Sequence, residues 1–374
     1  MRTNARPCTT FILLVILFFG YSCKDNSKTL LKEYNINISN VSDSLQSVIK
    51  SYTILRLDNQ PDAYVPFISK YILTDQYLIF KNESKQSIII YDKSGKYINS
   101  ISKKGRGPGE YLYISDFMFD EKTREITICD NDRLKKYSFN GNFISEQKFD
   151  SRISKILRMD NGNLVAEKSL PTDNPQTNYH LRILTNELDV LNKRLPIIPS
   201  GGPGFGLEGQ TYRTALNKDY AYFFSYTGDT IYHIFDTIIK PVYVLKYDRP
   251  IITTTDGTGT YKSDPNESYR YLSYFEIGDV SILLFNYRNQ GYCFSFNQLT
   301  GQSKSFFTRF PIQGVYNNKI IITTNSMYLK RTIERIDPDK SKCINKSELD
   351  NALQNYTDDF QTIIFVDLDL KKYE

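Results

Sequence analysis

Short runs of alternating apolar and polar residues, each closed by Gly, Asn or Asp, recur along the chain from residue 52 onward. Alternation with a period of two sends successive side chains to opposite faces, the pattern of a β-strand rather than a helix. The runs come in sets with a constant order. An apolar strand leads through a polar turn to a strand carrying Tyr or Phe, and a Gly or Asn turn leads on to a third. The clearest set is Tyr77 to Phe80, Ser87 to Tyr91, the turn Asp92-Lys93-Ser94-Gly95, and Lys96 to Ile101. The next is Glu125 to Cys129, Arg133 to Phe139, Asn140-Gly141, and Asn142 to Phe149. Tyr91, Tyr137 and Ile183 are equivalent positions spaced by 46 residues. Further sets span Asn163 to Leu195, Tyr220 to Tyr247 and Val280 to Phe310. A sixth begins at Lys319 to Thr324 and resumes at Thr362 to Leu370.

A unit of roughly 40–50 residues with four short strands is a propeller blade. No such blade buries both its faces alone, so neighbours must stack. The pattern therefore predicts an all-β fold, a six-bladed β-propeller over residues 51–374. The sixth set lacks its last strand, and Tyr52 to Leu57 is a strand without a blade. Pairing the two closes the ring and protects the sheet edges. Two stretches interrupt the repeats, Ile251 to Phe275 and Ser326 to Phe360. In the second, Leu349, Ala352, Leu353 and Tyr356 fall at helical spacing behind Ser347 as N-cap, which predicts a short helical insertion near the C-terminus. Insertions of this kind are expected on a face of the propeller, where binding often occurs.

Composition narrows the function. The chain has 374 residues, 40% hydrophobic and 24% charged, in the range of globular proteins. Its 29 Tyr and 23 Phe favour strands. A net charge of +5 without a basic cluster argues against a nucleic-acid partner. The two histidines, His180 and His233, sit in strand patterns without a Cys or His at metal spacing, which removes most His-based chemistry. No nucleophile elbow and no Cys-x-x-Cys is present.

The N-terminus has its own signature. Arg2 and Arg6 precede the apolar run Phe11 to Phe19, which is the length of a signal-peptide core and too short to span a bilayer. Gly20, Tyr21, Ser22 and Cys23 follow, resembling a lipobox with Gly20 in place of the usual aliphatic residue. Residues 1–22 then form a lipoprotein signal peptide, Cys23 the lipidated first residue of the mature chain, and 23–50 a tether. Acyl chains on Cys23 each contribute about 0.8 kcal/mol per buried CH₂, enough for stable anchoring. Cys129, Cys293 and Cys343 are too few and too scattered for a disulfide framework.

The segment Gly105-Arg106-Gly107-Pro108-Gly109-Glu110-Tyr111, followed by Asp116-Phe117, resembles the six-bladed β-propeller lipoproteins of Bacteroidetes. So do Gly228-Asp229-Thr230-Ile231-Tyr232 and the aliphatic strand Ile363-Ile364-Phe365. With the lipobox, the resemblance covers nearly the whole chain. It implies a bacterial cell-envelope lipoprotein, anchored in the outer membrane, whose relatives mostly have no established activity.

Candidate chemistry is sparse. Three glycines and Pro108 make the 105–110 loop both permissive and stiff. At the central channel, Arg106 would offer a guanidinium fork to an anionic ligand, with Glu110 and Tyr111 beside it. Between blades, the same loop would be a structural turn with Arg106 paired to a local acid. Gly201-Gly202-Pro203-Gly204 is a second loop of this type. Asp337, Asp339, Ser341 and Glu348 imitate a calcium-binding EF-hand loop, but Lys342 stands where that loop needs Gly. Tyr261, Tyr269, Tyr271 and Tyr274 are either a stacking surface or core residues. Two function classes remain: a non-catalytic binding or scaffold propeller for an envelope protein, peptide or glycan, with no cofactor, and a calcium-dependent propeller hydrolase or lyase acting at the channel.

Overall fold

The computed structural model describes residues 31–39, 41–60, 68–168, 174–197, 212–216, 220–225, 229–251, 264, 266–354 and 360–369. Cys23 and the Gly201–Gly204 loop lie outside them. The described chain opens with β1 (Lys32–Ile36) and β2 (Ile49–Arg56), joined through a 3-10 turn at Leu45–Val48. Blade 1 is β3 (Ile68–Leu73), β4 (Tyr77–Asn82), β5 (Ser87–Asp92) and β6 (Tyr97–Ile101). Blade 2 is β7 (Asp116–Asp120), β8 (Glu125–Asp130), β9 (Arg133–Ser138) and β10 (Phe143–Lys148). Blade 3 is β11 (Lys155–Arg158), β12 (Leu164–Glu167), β13 (Tyr179–Leu184) and β14 (Val190–Pro196). Blade 4 is β15 (Tyr212–Leu216), β16 (Ala221–Ser225), β17 (Thr230–Phe235) and β18 (Ile238–Tyr247). Blade 5 is β19 (Arg270–Ile277), β20 (Val280–Tyr287), β21 (Gln290–Asn297) and β22 (Ser303–Thr308). Blade 6 contains β23 (Gly314–Tyr316), β24 (Lys319–Asn325) and β25 (Gln361–Leu368), with α1 (Ser326–Ile336) and α2 (Lys346–Gln354) between β24 and β25.

Each blade is a sheet in sequential strand order, and β2 completes blade 6 beyond β25. The pairing is antiparallel, with Tyr52 opposite Val366 and Ile54 opposite Ile364. This is the six-bladed propeller and the terminal closure that the repeat predicts. The core falls into six apolar clusters, one at each blade interface. Ile90 and Ile128 meet between blades 1 and 2, and Cys129 meets Leu164 between blades 2 and 3. Ile183 and Phe223 follow, then Phe224 and Leu283, then Ile282 and Ile322. Phe80 and Ile363 join blade 1 back to blade 6, so the ring is closed. A buried Ile or Phe contributes about 1.5–3 kcal/mol, which makes these stacked faces the main source of stability.

Three features depart from the sequence pattern. Residues 32–50 are not the expected tether. Instead, β1 adds to blade 4 as a fifth strand, parallel to β18, with Lys32 opposite Tyr243 and Ile36 opposite Tyr247. Its alternating Tyr34 and Ile36 are buried, and Tyr34 stacks on Phe296 of blade 5 at 3.8 Å. The chain then crosses the edge of blade 5, where Phe307 N–H donates to the Asp43 carbonyl at 2.8 Å, before entering β2. Arg270 to Phe275, read as part of a long connection, belongs to the inner strand β19. In the insertion at 326–360, α2 is the helix that the spacing predicts, and α1 precedes it without such a signal. Leu329, Ile333 and Ile336 of α1 point into the interface of blades 5 and 6. Asn345, not Ser347, caps α2, accepting the Glu348 N–H at 3.2 Å. The insertion also pairs with the outer edge of β2: Tyr52 N–H donates to the Lys342 carbonyl and Ile344 N–H to that of Tyr52.

Alternation of strand direction gives the ring two unlike ends. At one, called here the turn face, first strands pass to second and third to fourth through tight turns such as Asp236-Thr237, Gly278-Asp279 and Asn317-Asn318. At the other, the loop face, lie the passages from second to third strands, two of them as short as Asn131-Asp132 and Arg288-Asn289, and much longer stretches between blades, among them 102–115 and 248–269.

Candidate functional site

The channel is lined by the inner strands β3, β7, β11, β15, β19 and β23, which approach one another in that order. Lys70 of β3 holds Asp116 of β7 at 3.1 Å. The second oxygen of Asp116 accepts the Ile156 N–H of β11 at 2.8 Å. This buried carboxylate is thus a fastener across three blades, with both oxygens engaged. Between the inner strands of blades 1 and 6, the Tyr71 hydroxyl lies against the Cα of Gly314, beside Phe275. A Cβ at position 314 would collide with that oxygen, so glycine is what admits the tyrosine.

The Gly-rich loop is an inter-blade clasp. Glu110 folds back over Gly105, where a Cβ would strike its carboxylate, and accepts the Gly107 N–H at 2.7 Å. Gly105 N–H donates to the Tyr111 carbonyl, and Tyr111 N–H to that of Lys103. The loop is gripped by the outer half of blade 2. Tyr137 of β9 donates to the Gly109 carbonyl at 3.1 Å, and Lys135 donates to that of Glu110. Tyr111 is fully buried. Its hydroxyl lies 2.8 Å from the Gln86 carbonyl and accepts the Lys103 N–H at 3.2 Å. Burial pushes that hydroxyl up to about 12. Glu110 thus turns its carboxylate onto its own loop, and the Tyr111 ring lies inside the core. Arg106 is exposed, on a loop held by Tyr137 and Lys135 of the third strand and flanked by Phe143 of the fourth. Among the described residues it makes no ion pair with an acid.

The EF-hand-like residues do not gather. Asp337 is buried and accepts the Lys342 N–H at 2.7 Å, whereas Asp339, Ser341 and Glu348 are exposed. Among the described residues no three His, Cys, Asp or Glu side chains converge to hold a metal. Tyr269 and Tyr274 are core residues and not a stacking surface. Tyr261 and the side chain of Tyr271 lie outside the described residues.

Two clusters escape the sequence pattern because their members come from different blades. One is buried between blades 4 and 5. Glu276 accepts from the Tyr220 and Tyr274 hydroxyls, each at 2.6 Å, and faces His233 Nε2 at 3.0 Å. Tyr220 stacks on His233 at 3.9 Å, and Tyr274 continues to Ser281 at 2.7 Å. Burial alone would raise the Glu276 pKa, but the hydrogen bonds from His233, Tyr220 and Tyr274 hold it below the usual carboxylate value.

The other cluster is open, on the loop face of blade 5. The guanidinium groups of Arg249 and Arg288 lie over the Tyr287 ring at 4.6 and 5.2 Å. Glu267 pairs with both, and it accepts the Tyr287 hydroxyl at 3.0 Å. Arg288 is the most exposed member. Two cations share one acid around an aromatic face, which leaves donors available to a carboxylate, sulfate or phosphate.

A family model described as a domain of unknown function, DUF4934, matches residues 33–359. The chain belongs to the DUF4934 family. Its match begins within β1, so the family includes the strand that covers blade 4. No protein of curated function matches the sequence. Among solved structures, a Bacteroides fragilis protein provisionally designated as exported is 16% identical, with a TM-score of 0.68 over 90% of this chain and 99% of its own. A member of the DUF4221 family from Bacteroides vulgatus is 13% identical, with a TM-score of 0.50 over 85% of this chain and 96% of its own. At these identities the likeness is one of fold.

Proposed function

We propose that this DUF4934 protein is a non-catalytic binding propeller of the bacterial envelope, lipid-anchored through Cys23, that presents its loop face to an acidic glycan or peptide. The observation that carries the binding role is the Arg249–Tyr287–Arg288 cluster, where the exposed Arg288 and the half-buried Arg249 guanidinium groups are already oriented over a ring and held by Glu267. The carboxylates that could have served channel chemistry have other work: Asp116 fastens three blades and Glu276 is enclosed by His233 and two tyrosines. The signal segment and Cys23 support the anchor, and the exported designation of a structural neighbour agrees with an envelope location.

Calorimetric titration with acidic and neutral oligosaccharides and peptides tests the reading, with and without EDTA. Saturable binding of acidic ligands, unaffected by EDTA and weakened at least tenfold in an Arg249→Ala/Arg288→Ala variant, is the expected result. Turnover of an ester or lactone that depends on calcium would replace this reading with the hydrolase. Mass spectrometry of the mature protein tests the anchor separately: the N-terminal peptide should carry acyl chains on Cys23 and lose them in Cys23→Ala.

A further inference from the structure

We infer that the turn face is the membrane-facing surface of the propeller and that its apolar rim rests in the lipid interface; this rests on the anchored reading of Cys23. Of the thirteen exposed large apolar residues among the described ones, eight lie at or beside turns of this face, and five, Leu112, Tyr113, Met327, Tyr328 and Ile344, lie elsewhere. In each of blades 1 to 5 at least one stands at the turn between the third and fourth strands: Ile98, Phe143, Val190, Ile238 and Leu299, from 39% to 71% exposed. All of these turns open on the turn face, so the five residues form a broken ring around it. Isolated exposed apolar residues need no explanation, but a set repeated at one end of successive blades marks a contact surface.

The course of the chain selects the occupant. Because β1 runs parallel to β18, whose first residue follows the Asp236-Thr237 turn, it is directed away from the turn face, with its first residue, Lys32, opposite Tyr243 midway along β18. The Lys32 ammonium reaches the carbonyl of Gln298 at 2.8 Å, in the turn that carries Leu299. Only residues 24–31 separate Cys23 from Lys32. Fully extended, they span at most about 30 Å. Acyl chains so close to Lys32 favour a bilayer over a protein partner as the surface the rim meets. The described turns of this face carry more acidic than basic residues. Attraction to anionic headgroups is therefore not the driving force. Insertion of apolar side chains is, as in interfacial binding. The long connections and the Arg249–Arg288 cluster then point away from the membrane.

The test places a fluorophore at Leu299→Cys or, on the loop face, at Leu112→Cys. The native Cys129, Cys293 and Cys343 are buried and do not compete for label. The acylated protein is reconstituted in phosphatidylcholine vesicles with a nitroxide on the lipid acyl chain. Quenching at position 299 should exceed that at 112 at least threefold, and Ile238→Asp should reduce it. Equal quenching, or stronger quenching at 112, overturns the inference, as does loss of lipid quenching at 299 through self-association of the protein. If Cys23 carries no acyl chain, the anchor reading fails on its own. The same labels in a Cys23→Ser background, mixed with the vesicles, then decide the rim alone: quenching at 299 sustains it and its absence ends it.

Discussion

Single residues set the tightest points of this molecule. Gly314 is one, because the Tyr71 hydroxyl occupies the space of its missing Cβ. Gly314→Ala should cost about 1–3 kcal/mol in urea unfolding, the usual range for overpacking. The penalty should shrink in a Tyr71→Phe background, which removes the colliding oxygen, and a double-mutant cycle would show that coupling. Glu276 is another. Its folded carboxyl titrates below the ordinary 4.5, so it contributes stability that is complete above pH 4.5 and is lost as pH falls through the folded value. Glu276→Gln should therefore remove part of the acid-limb loss seen below that pH. It should also cost about 3 kcal/mol at neutral pH, since it takes one partner from a buried polar network. Stability measured from pH 3 to pH 7 checks both signs. Neither residue stands out in the sequence: Gly314 sits between Gln313 and Val315 without a turn motif around it, and Glu276 is one acid among many.

Among the elements, the outer edges of blades 4, 5 and 6 are covered by the protein's own chain. β1 lies on β18, Ser44 bridges to Phe307, and Cys343 bridges to Tyr52, each in parallel. Unpaired strand edges invite association, and this covering removes three of them. Deleting Lys32–Ile36 should leave the ring closed but speed amide exchange along β18, measured by mass spectrometry. β2 has the larger task. Tyr52 N–H points outward to Lys342 and Leu57 N–H inward to Gln361. By alternation, Leu55 N–H also faces β25. Leu55→Pro should then break a closing hydrogen bond and cost about 3 kcal/mol or more, lowering the melting temperature. A substitution tolerated without loss would show that the ring does not depend on this strand. β2 was legible as an orphan strand with a missing partner. β1 was not, because five residues with two buried side chains give too short a period to recognise.

The whole molecule shows where sequence information ends. The period of two, the turn residues and the spacing of 46 were enough to determine the blade, the number of blades and the closure, because these follow from local patterning repeated along the chain. The inner strands were hidden. They mix Lys70, Asp116, Lys155 and Arg158 with apolar residues, since one side faces a polar channel and alternation is lost. The candidate loop at Gly105–Glu110 was visible by composition, yet its place was decided by Tyr137 and Lys135, a blade away in sequence. The same holds for the cluster of Arg249, Glu267 and Arg288, and for the ring of apolar residues on the turn face. Patterning acts between neighbours in the chain and is written there. A site, a clasp or a surface joins residues that only the closure of the ring brings together, so tertiary structure alone decided which polar groups meet, which are spent on holding blades, and which remain free to bind.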